Sequence, residues 1–248
     1  MAKGTAVAKA KLQLPANVAQ QLAAEAASIA SRIGTPSGDR IKVTQSKRFR
    51  LPSGEESAGP INAVIVDFVS MNMFYDGAFD PNDITPPICA AIGTEPTTLA
   101  PYADSTEKQC DTCSACPQNQ FGSSGKGKAC SNTRLLAIMA VDADADTPMM
   151  LIKVSPTALR SFDGYVGSVA RSFQMPPFGV ITEISLDPTS DYPSLRFGNP
   201  TPCAPELLAL AMSRRDEARA RLMTKPDFAA NDVAKAAPKK KVASRRGA

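Results

Sequence analysis

The chain has 248 residues, a formal net charge of +4 and 43% hydrophobic residues. That suffices for one sizeable core with an insertion and loose ends. No run approaches the roughly 18 to 20 apolar residues of a membrane span. Histidine is absent, which removes Ser–His and Cys–His nucleophile pairs and every mixed Cys/His zinc site.

The opening MAKGTAVAKAKLQLPANVAQ has lysines but no apolar stretch of signal-peptide type, so a soluble intracellular protein is expected. Residues 15–34, PANVAQQLAAEAASIASRIG, predict a helix ended by Gly34, peripheral because its apolar side chains are small. TPSGD follows as a linker. IKVTQSKRFRL (41–51) alternates as one strand. Ile41, Val43, Phe49 and Leu51 fall on its core face, and Lys42, Thr44, Ser46, Arg48 and Arg50 on a basic face. After a loop over 51–60, INAVIVDFVSMNMFY (61–75) is a nearly continuous apolar run, as in a central strand covered on both faces.

Residues 76–109 are proline-rich and lack periodicity, so a loop this long needs a staple. Strands are predicted over 133–142 and 149–155, with the turn DADADTP between them. Residues 155–173 predict a helix with Ser155 as N-cap, Pro156 at its first position and an apolar stripe of Leu159, Phe162, Val166 and Val169. A hairpin is expected over 179–187 and 192–198, then a helix over about 205–223. The Ala-, Lys- and Pro-rich remainder predicts disorder from about Thr224.

This order, with a helix between the third and fourth strands of a five-stranded barrel, predicts a mostly β, α+β protein with an OB-like barrel and flanking helices. The expected domains are a helix and linker over 1–38 and an OB-like core over 39–200 with a zinc-binding insertion at about 76–132. A C-terminal helix over 201–223 and a basic tail over 224–248 follow.

Four of the six cysteines lie at Cys110, Cys113, Cys116 and Cys130, and a fifth, Cys89, stands across the proline-rich loop. Two thiolates three residues apart on a tight turn reach one zinc at about 2.3 Å, and a second pair completes the tetrahedron. Clustered cysteines in a reducing compartment favour metal over disulfide, so a structural Zn2+ is expected. Spacing leaves two ligand sets open. One is Cys110, Cys113, Cys116 and Cys130. The other replaces Cys110 with Cys89, which would close the irregular segment and offset its ordering entropy.

Charge is segregated. Residues 40–50 carry five positive charges and no acid, residues 235–248 carry six and no acid, and residues 76–111 hold seven acids against Lys108 alone. Such segregation suggests an anionic partner. Cations for a nucleic-acid backbone are Lys42, Arg48 and Arg50, with Lys126, Lys128 and Arg134 as a second group. Phe74, Tyr75, Phe79, Tyr102 and Phe121 are available for base stacking, whereas Phe49 and Phe68 are assigned to the core. Phe121, in a glycine-flanked loop beside the cysteines, is the best stacking candidate. An enzyme is not expected. There is no Walker loop or nucleophile elbow, and the only carboxylates worth pairing are Asp67, Asp142, Asp144 and Asp146.

The segments PPICAAIG, CSACPQNQFGSSGKGKACSNTRLLAI, SPTALRSFDGYVGSVARSFQMPPFGVITEISLDP and DYPSLRFG together resemble a family of bacteriophage and prophage proteins. Its members share a P-P-x-C element, a C-x2-C-P-x-N-x-F/W-G-S element, a G-K-G-K-A-C element and a closing hairpin. The resemblance covers roughly residues 40–200 and places the shared cysteines on Cys89, Cys113, Cys116 and Cys130. Its looser similarity is to phage OB-type single-stranded DNA-binding proteins, some with a zinc subdomain. It implies a single-stranded DNA-binding protein of replication or recombination in the cytoplasm of a bacterial host cell, with phage or host replication and recombination proteins as further partners. The basic tail departs from the acidic tail of many such proteins. The alternative is a non-enzymatic, zinc-stabilised adaptor that binds a protein.

Overall fold

A computed structural model describes residues 39–77 and 85–225, with Pro15, Asn17, Val18, Gln21, Leu22 and Glu25. Residues 1–37 and 38–248 form two units. In the first, Asn17, Val18, Gln21, Leu22 and Glu25 have helical backbone. The rest of the expected N-terminal helix, Phe79, and the basic tail from residue 226 lie outside the described residues.

The second unit is mostly β with a few helices. Its strands are β1 (Arg40–Val43), β2 (Phe49–Arg50), β3 (Glu56–Ser57), β4 (Ile61–Phe74), β5 (Cys89–Gly93), β6 (Ser131–Ala140), β7 (Met150–Val154), β8 (Val180–Leu186) and β9 (Leu195–Pro202). The helices are α1 (Leu159–Phe173), α2 (Pro205–Ser213) and α3 (Arg215–Met223). All nine strands join one sheet in the order β3-β2-β1-β7-β6-β4-β8-β9, with β5 on β4. β1 runs parallel to β7, and the other named pairs are antiparallel.

β4 organises the sheet. One edge pairs with β6 from Ala63 to Met73, while the other takes β8 over Ile61–Val64 and β5 over Ser70–Phe74. A register shift lies between Ile65 and Asp67, so one extra residue sits in the strand and side-chain alternation changes phase. Ala63, Ile65 and Phe68 therefore join one core, and Val64, Val66, Val69, Met71 and Met73 join the other. That is why the run reads as continuously apolar.

The first core lies under α1. Phe162 meets Phe68 and Phe197 edge-on with ring centroids 5.1 and 5.0 Å apart, and the buried Tyr165 hydroxyl is hydrogen-bonded to Thr182 Oγ1 at 2.7 Å. The second core lies under α2 and α3, where Ala211, Ala218 and Leu222 are fully buried. The result is three layers, helix, sheet and helices, each apolar face covered by another element.

Several boundaries differ from expectation. Residues 41–51 are not one strand. Thr44–Arg48 turn back, with Thr44 N–H donating to the Arg48 carbonyl at 2.9 Å and Lys47 at a φ of 54°, so β2 folds onto β1. The expected 51–60 loop contains β3, and the proline-rich segment contains β5. Ser155 does not cap α1 with its side chain. A one-turn 3-10 helix, Pro156–Ala158, precedes α1, which ends at Gln174 in the left-handed region (φ 53°). The C-terminal helix divides at Arg214, whose guanidinium binds Glu217 and donates to the Thr147 carbonyl at 2.5 Å. That anchor bends the helical path onto the sheet.

Candidate metal centre and nucleic-acid interface

Five of the six thiols meet. Cys89 opens β5 opposite Phe74. Cys113 N–H donates to the Leu99 carbonyl at 2.7 Å, Cys116 precedes a 3-10 turn over Pro117–Asn119, and Cys130 adjoins β6 with its N–H on the Gln118 carbonyl at 2.8 Å. Together with Cys110 and Asn119 they line one cavity of about 10 Å³, room for roughly one small sphere. Cys89, Cys113, Cys116 and Cys130 are buried, and Cys110 is half-buried. The sixth thiol, Cys203, lies apart, against the Phe178 carbonyl at 3.8 Å.

The surrounding backbone is tied down locally. Asn119 Nδ2 donates to the Cys113 carbonyl at 2.7 Å, and Gln120 Nε2 reaches the carbonyls of Ser114 (3.0 Å) and Cys116 (3.2 Å). Tyr102 N–H on Ala90 and Glu107 N–H on Ile88 fasten the preceding loop to the β5 region.

Burial comes first in raising the pKa values of Cys110, Cys113 and Cys130, with thiol–thiol interaction adding to it. Cys130 is pushed up to about 12 by burial and by Cys113, Cys116 and Cys89, with Lys128 opposing. Cys110 is pushed up to about 12 by burial and its hydrogen bond with Cys116. Cys113 is raised mainly by burial, against a hydrogen bond from Asn72 that lowers it. Such a cluster cannot carry several thiolates unless a cation balances them. Among the described residues, no three Cys, Asp or Glu side chains are placed as a ready metal-holding group. The donor chemistry fits a soft, tetrahedral ion taking sulfur ligands.

No protein-family model, curated protein or solved structure shows a significant match to the chain.

The knuckle carries a hairpin tip. Ser124 and Gly127 form an isolated bridge, with Gly122 and Gly125 at φ 92° and 62°, a region where a Cβ is strained. Phe121 at this tip is 82% exposed. Lys128 Nζ lies 5.3 Å from its ring centroid and 3.4 Å from Asn119 Oδ1, and Lys126 is exposed.

The remaining predicted cations are dispersed. Lys42 lines a groove of about 450 Å³ over β1, β6 and β7. Arg48 is exposed in the β1–β2 turn. Arg50 is engaged by Glu56 Oε1 at 2.6 and 2.9 Å. Arg134 lies on the opposite face of β6 from its neighbour Leu135, 3.6 Å from Asp163 of α1, so it does not join Lys126 and Lys128. Among the aromatics, Phe49 and Phe68 pack in the first core as expected. Phe74 borders the thiol cavity, Tyr75 is 40% exposed, and Tyr102 is half-buried under Lys225. Asp67 is held by Arg219 at 3.3 Å and Asp144 by Thr147 at 2.5 Å.

Sequence reasoning missed Arg40 and Lys153, which line the same groove as Lys42. Lys153 is the only cation in MMLIKVS, but its relation to β1 depends on a parallel pairing that no local pattern encodes.

Proposed function

We propose that the chain is a non-enzymatic, single-stranded DNA-binding protein of phage type, acting in replication or recombination, with a structural Zn2+ held by Cys89, Cys113, Cys116 and Cys130. The observation that carries this reading is Phe121, a large ring 82% exposed on a hairpin that grows from the thiol cluster beside Lys126 and Lys128. Burying a phenylalanine contributes about 1.5–3 kcal/mol. A ring left outside, on a tethered basic loop, suits base stacking worth about 1–3 kcal/mol per base.

The strand order adds support. β4, β6, β7, β8 and β9 follow the OB sequence of pairings, with β4 between β6 and β8 and α1 between β7 and β8. The zinc knuckle then falls in the connection between the first two strands of such a barrel, one of the loops with which OB folds bind oligonucleotides. β1 takes the outer edge of β7, where closure of a five-stranded barrel would bring the last strand.

When bound, the metal supplies the positive charge that lets four buried thiolates coexist, and so joins β5, the knuckle and the base of β6. Cys110, half-buried beside Cys116, is left as a thiol. The protein should bind oligo-dT with an affinity that falls steeply with salt, and duplex DNA more weakly. Fluorescence anisotropy tests this directly. A flat titration with single strands at low salt refutes the reading and favours the zinc-stabilised adaptor.

A further inference from the structure

We infer that Asn72 is a positioning residue of the metal centre: its amide donates to the Cys113 sulfur, Asn132 holds that amide in place, and the pair sets how tightly the thiolates keep their ion. The inference deepens the zinc reading and rests on the four-cysteine site.

Asn72 interrupts an apolar strand. It is 5% exposed, between the buried Met71 and Met73 of β4. A buried amide costs free energy unless its ends are hydrogen-bonded, and register decides where those ends go. Met71 and Met73 join the second core. Because successive side chains alternate faces, Asn72 points the other way, toward the cysteines. It stands between Ala91 of β5 and Asn132 of β6. Ala91 carries only a methyl group, which leaves Asn72 in the lining of the cavity shared by Cys89, Cys113, Cys116 and Cys130.

Both ends of the amide are engaged. Asn132 Nδ2 donates to Asn72 Oδ1 at 2.9 Å, so a neighbour on the same face takes the acceptor end. The Asn72 side chain is also hydrogen-bonded to Cys113. A thiolate has no proton to give, so there the amide is the donor, and such a donor spreads the charge of a metal-bound sulfur. Asn119, also at the cavity, works differently. Its Nδ2 donates to the Cys113 carbonyl at 2.7 Å, which fixes the backbone of the loop and not a ligand atom. Asn132 Oδ1 is buried without a hydrogen-bond partner among the described residues, a cost that a pair serving stability alone would not carry. The chain Asn132–Asn72–Cys113 therefore leads from a rigid ladder to one sulfur, the arrangement by which outer partners orient metal ligands.

Metal affinity tests this without recourse to DNA binding. Zinc is partitioned between the purified protein and a chelating dye, and cobalt-exchanged protein is followed by its sulfur-to-metal charge-transfer band. Asn72→Leu, similar in size but without a donor, should weaken zinc binding by about 10–100-fold. It should also move the cobalt band to longer wavelength, because the sulfur lone pairs lose their hydrogen bond. Asn72→Asp keeps an acceptor for Asn132 but sets an anion beside the thiolates, and should weaken zinc at least as much. Asn132→Ala should give a smaller loss in the same direction. Thr133→Val removes the buried hydroxyl bond to the Met71 carbonyl (3.0 Å) in the same ladder. It should lower the melting temperature and leave zinc affinity and the cobalt band unchanged. If wild type holds no zinc, the four-cysteine reading itself falls. If wild type holds zinc and both Asn72 variants keep its affinity and band position, the role of Asn72 is overturned. It is equally overturned if Thr133→Val loses as much affinity as Asn72→Leu. Should Asn72→Leu not fold, Asn72→Asp decides by the same criteria.

Discussion

Cys89 stands opposite Phe74 in the β4–β5 ladder, and this pairing delivers a thiol from across the proline-rich loop to the cavity that Cys113, Cys116 and Cys130 line. A ladder position is rigid, whereas the half-buried Cys110 sits in a turn-rich stretch. The two cysteines should therefore behave differently. Purified protein should contain about one zinc per chain. Cys89→Ser should lose it, and Cys110→Ser should keep it, by mass spectrometry of the metal after desalting. Loss in Cys110→Ser with retention in Cys89→Ser would reverse the ligand assignment.

The metal and the ring should be coupled in one direction only. Chelation should release the knuckle and weaken oligo-dT binding, because Phe121 and Lys128 are placed by backbone anchored at Cys116 and Cys130. Phe121→Ala should weaken binding by about 1–3 kcal/mol, the worth of one stacked base, yet leave zinc content unchanged. Parallel anisotropy and metal analysis on the same preparation check both halves.

The turn between β8 and β9 carries a pH signature. Asp187 Oδ1 accepts from Thr189 N–H at 2.9 Å and Oγ1 at 2.7 Å, and Arg196 lies 2.8 Å from Oδ2. The Thr189 bonds, with help from Arg196, lower its pKa from 3.8 to about 2. A depressed carboxylate contributes stability that is present above its unfolded value and lost as pH falls through the folded one. Asp187→Asn should therefore lower the melting temperature at pH 7, and the gap from wild type should close between about pH 4 and pH 2. A constant gap across that range would contradict the assignment.

Phe162 is the keystone of the first core, fully buried between Phe68 and Phe197. Phe162→Ala should cost about 3–5 kcal/mol, measured as a lower urea midpoint at an unchanged slope. A cost under about 1 kcal/mol would mean that α1 does not pack on the sheet as described.

Local chemistry made much of the fold legible. The apolar run of β4, the stripe of α1 and the β8–β9 hairpin follow from periodicity and turn residues. Less legible were the features set by distant partners. The β1–β2 turn is fastened when Lys47 Nζ reaches the carbonyls of Pro188 and Ser190, and the helix break at Arg214 follows from its anchor on Thr147. Neither partner is within reach of a local pattern.

By itself the sequence determined the residue types available for chemistry. It has clustered thiols without histidine, an aromatic on a glycine-flanked basic loop and segregated charge, because these are properties of composition and spacing. Only the tertiary structure decided which of them meet. Strand register put Cys89 beside Cys113, Cys116 and Cys130, and turned Arg134 toward α1 and away from the face that holds Lys42. It also gathered Arg40, Lys42 and Lys153 around one groove. The physical reason is that side chains alternate across a sheet, so a single residue of register decides which face each charge occupies.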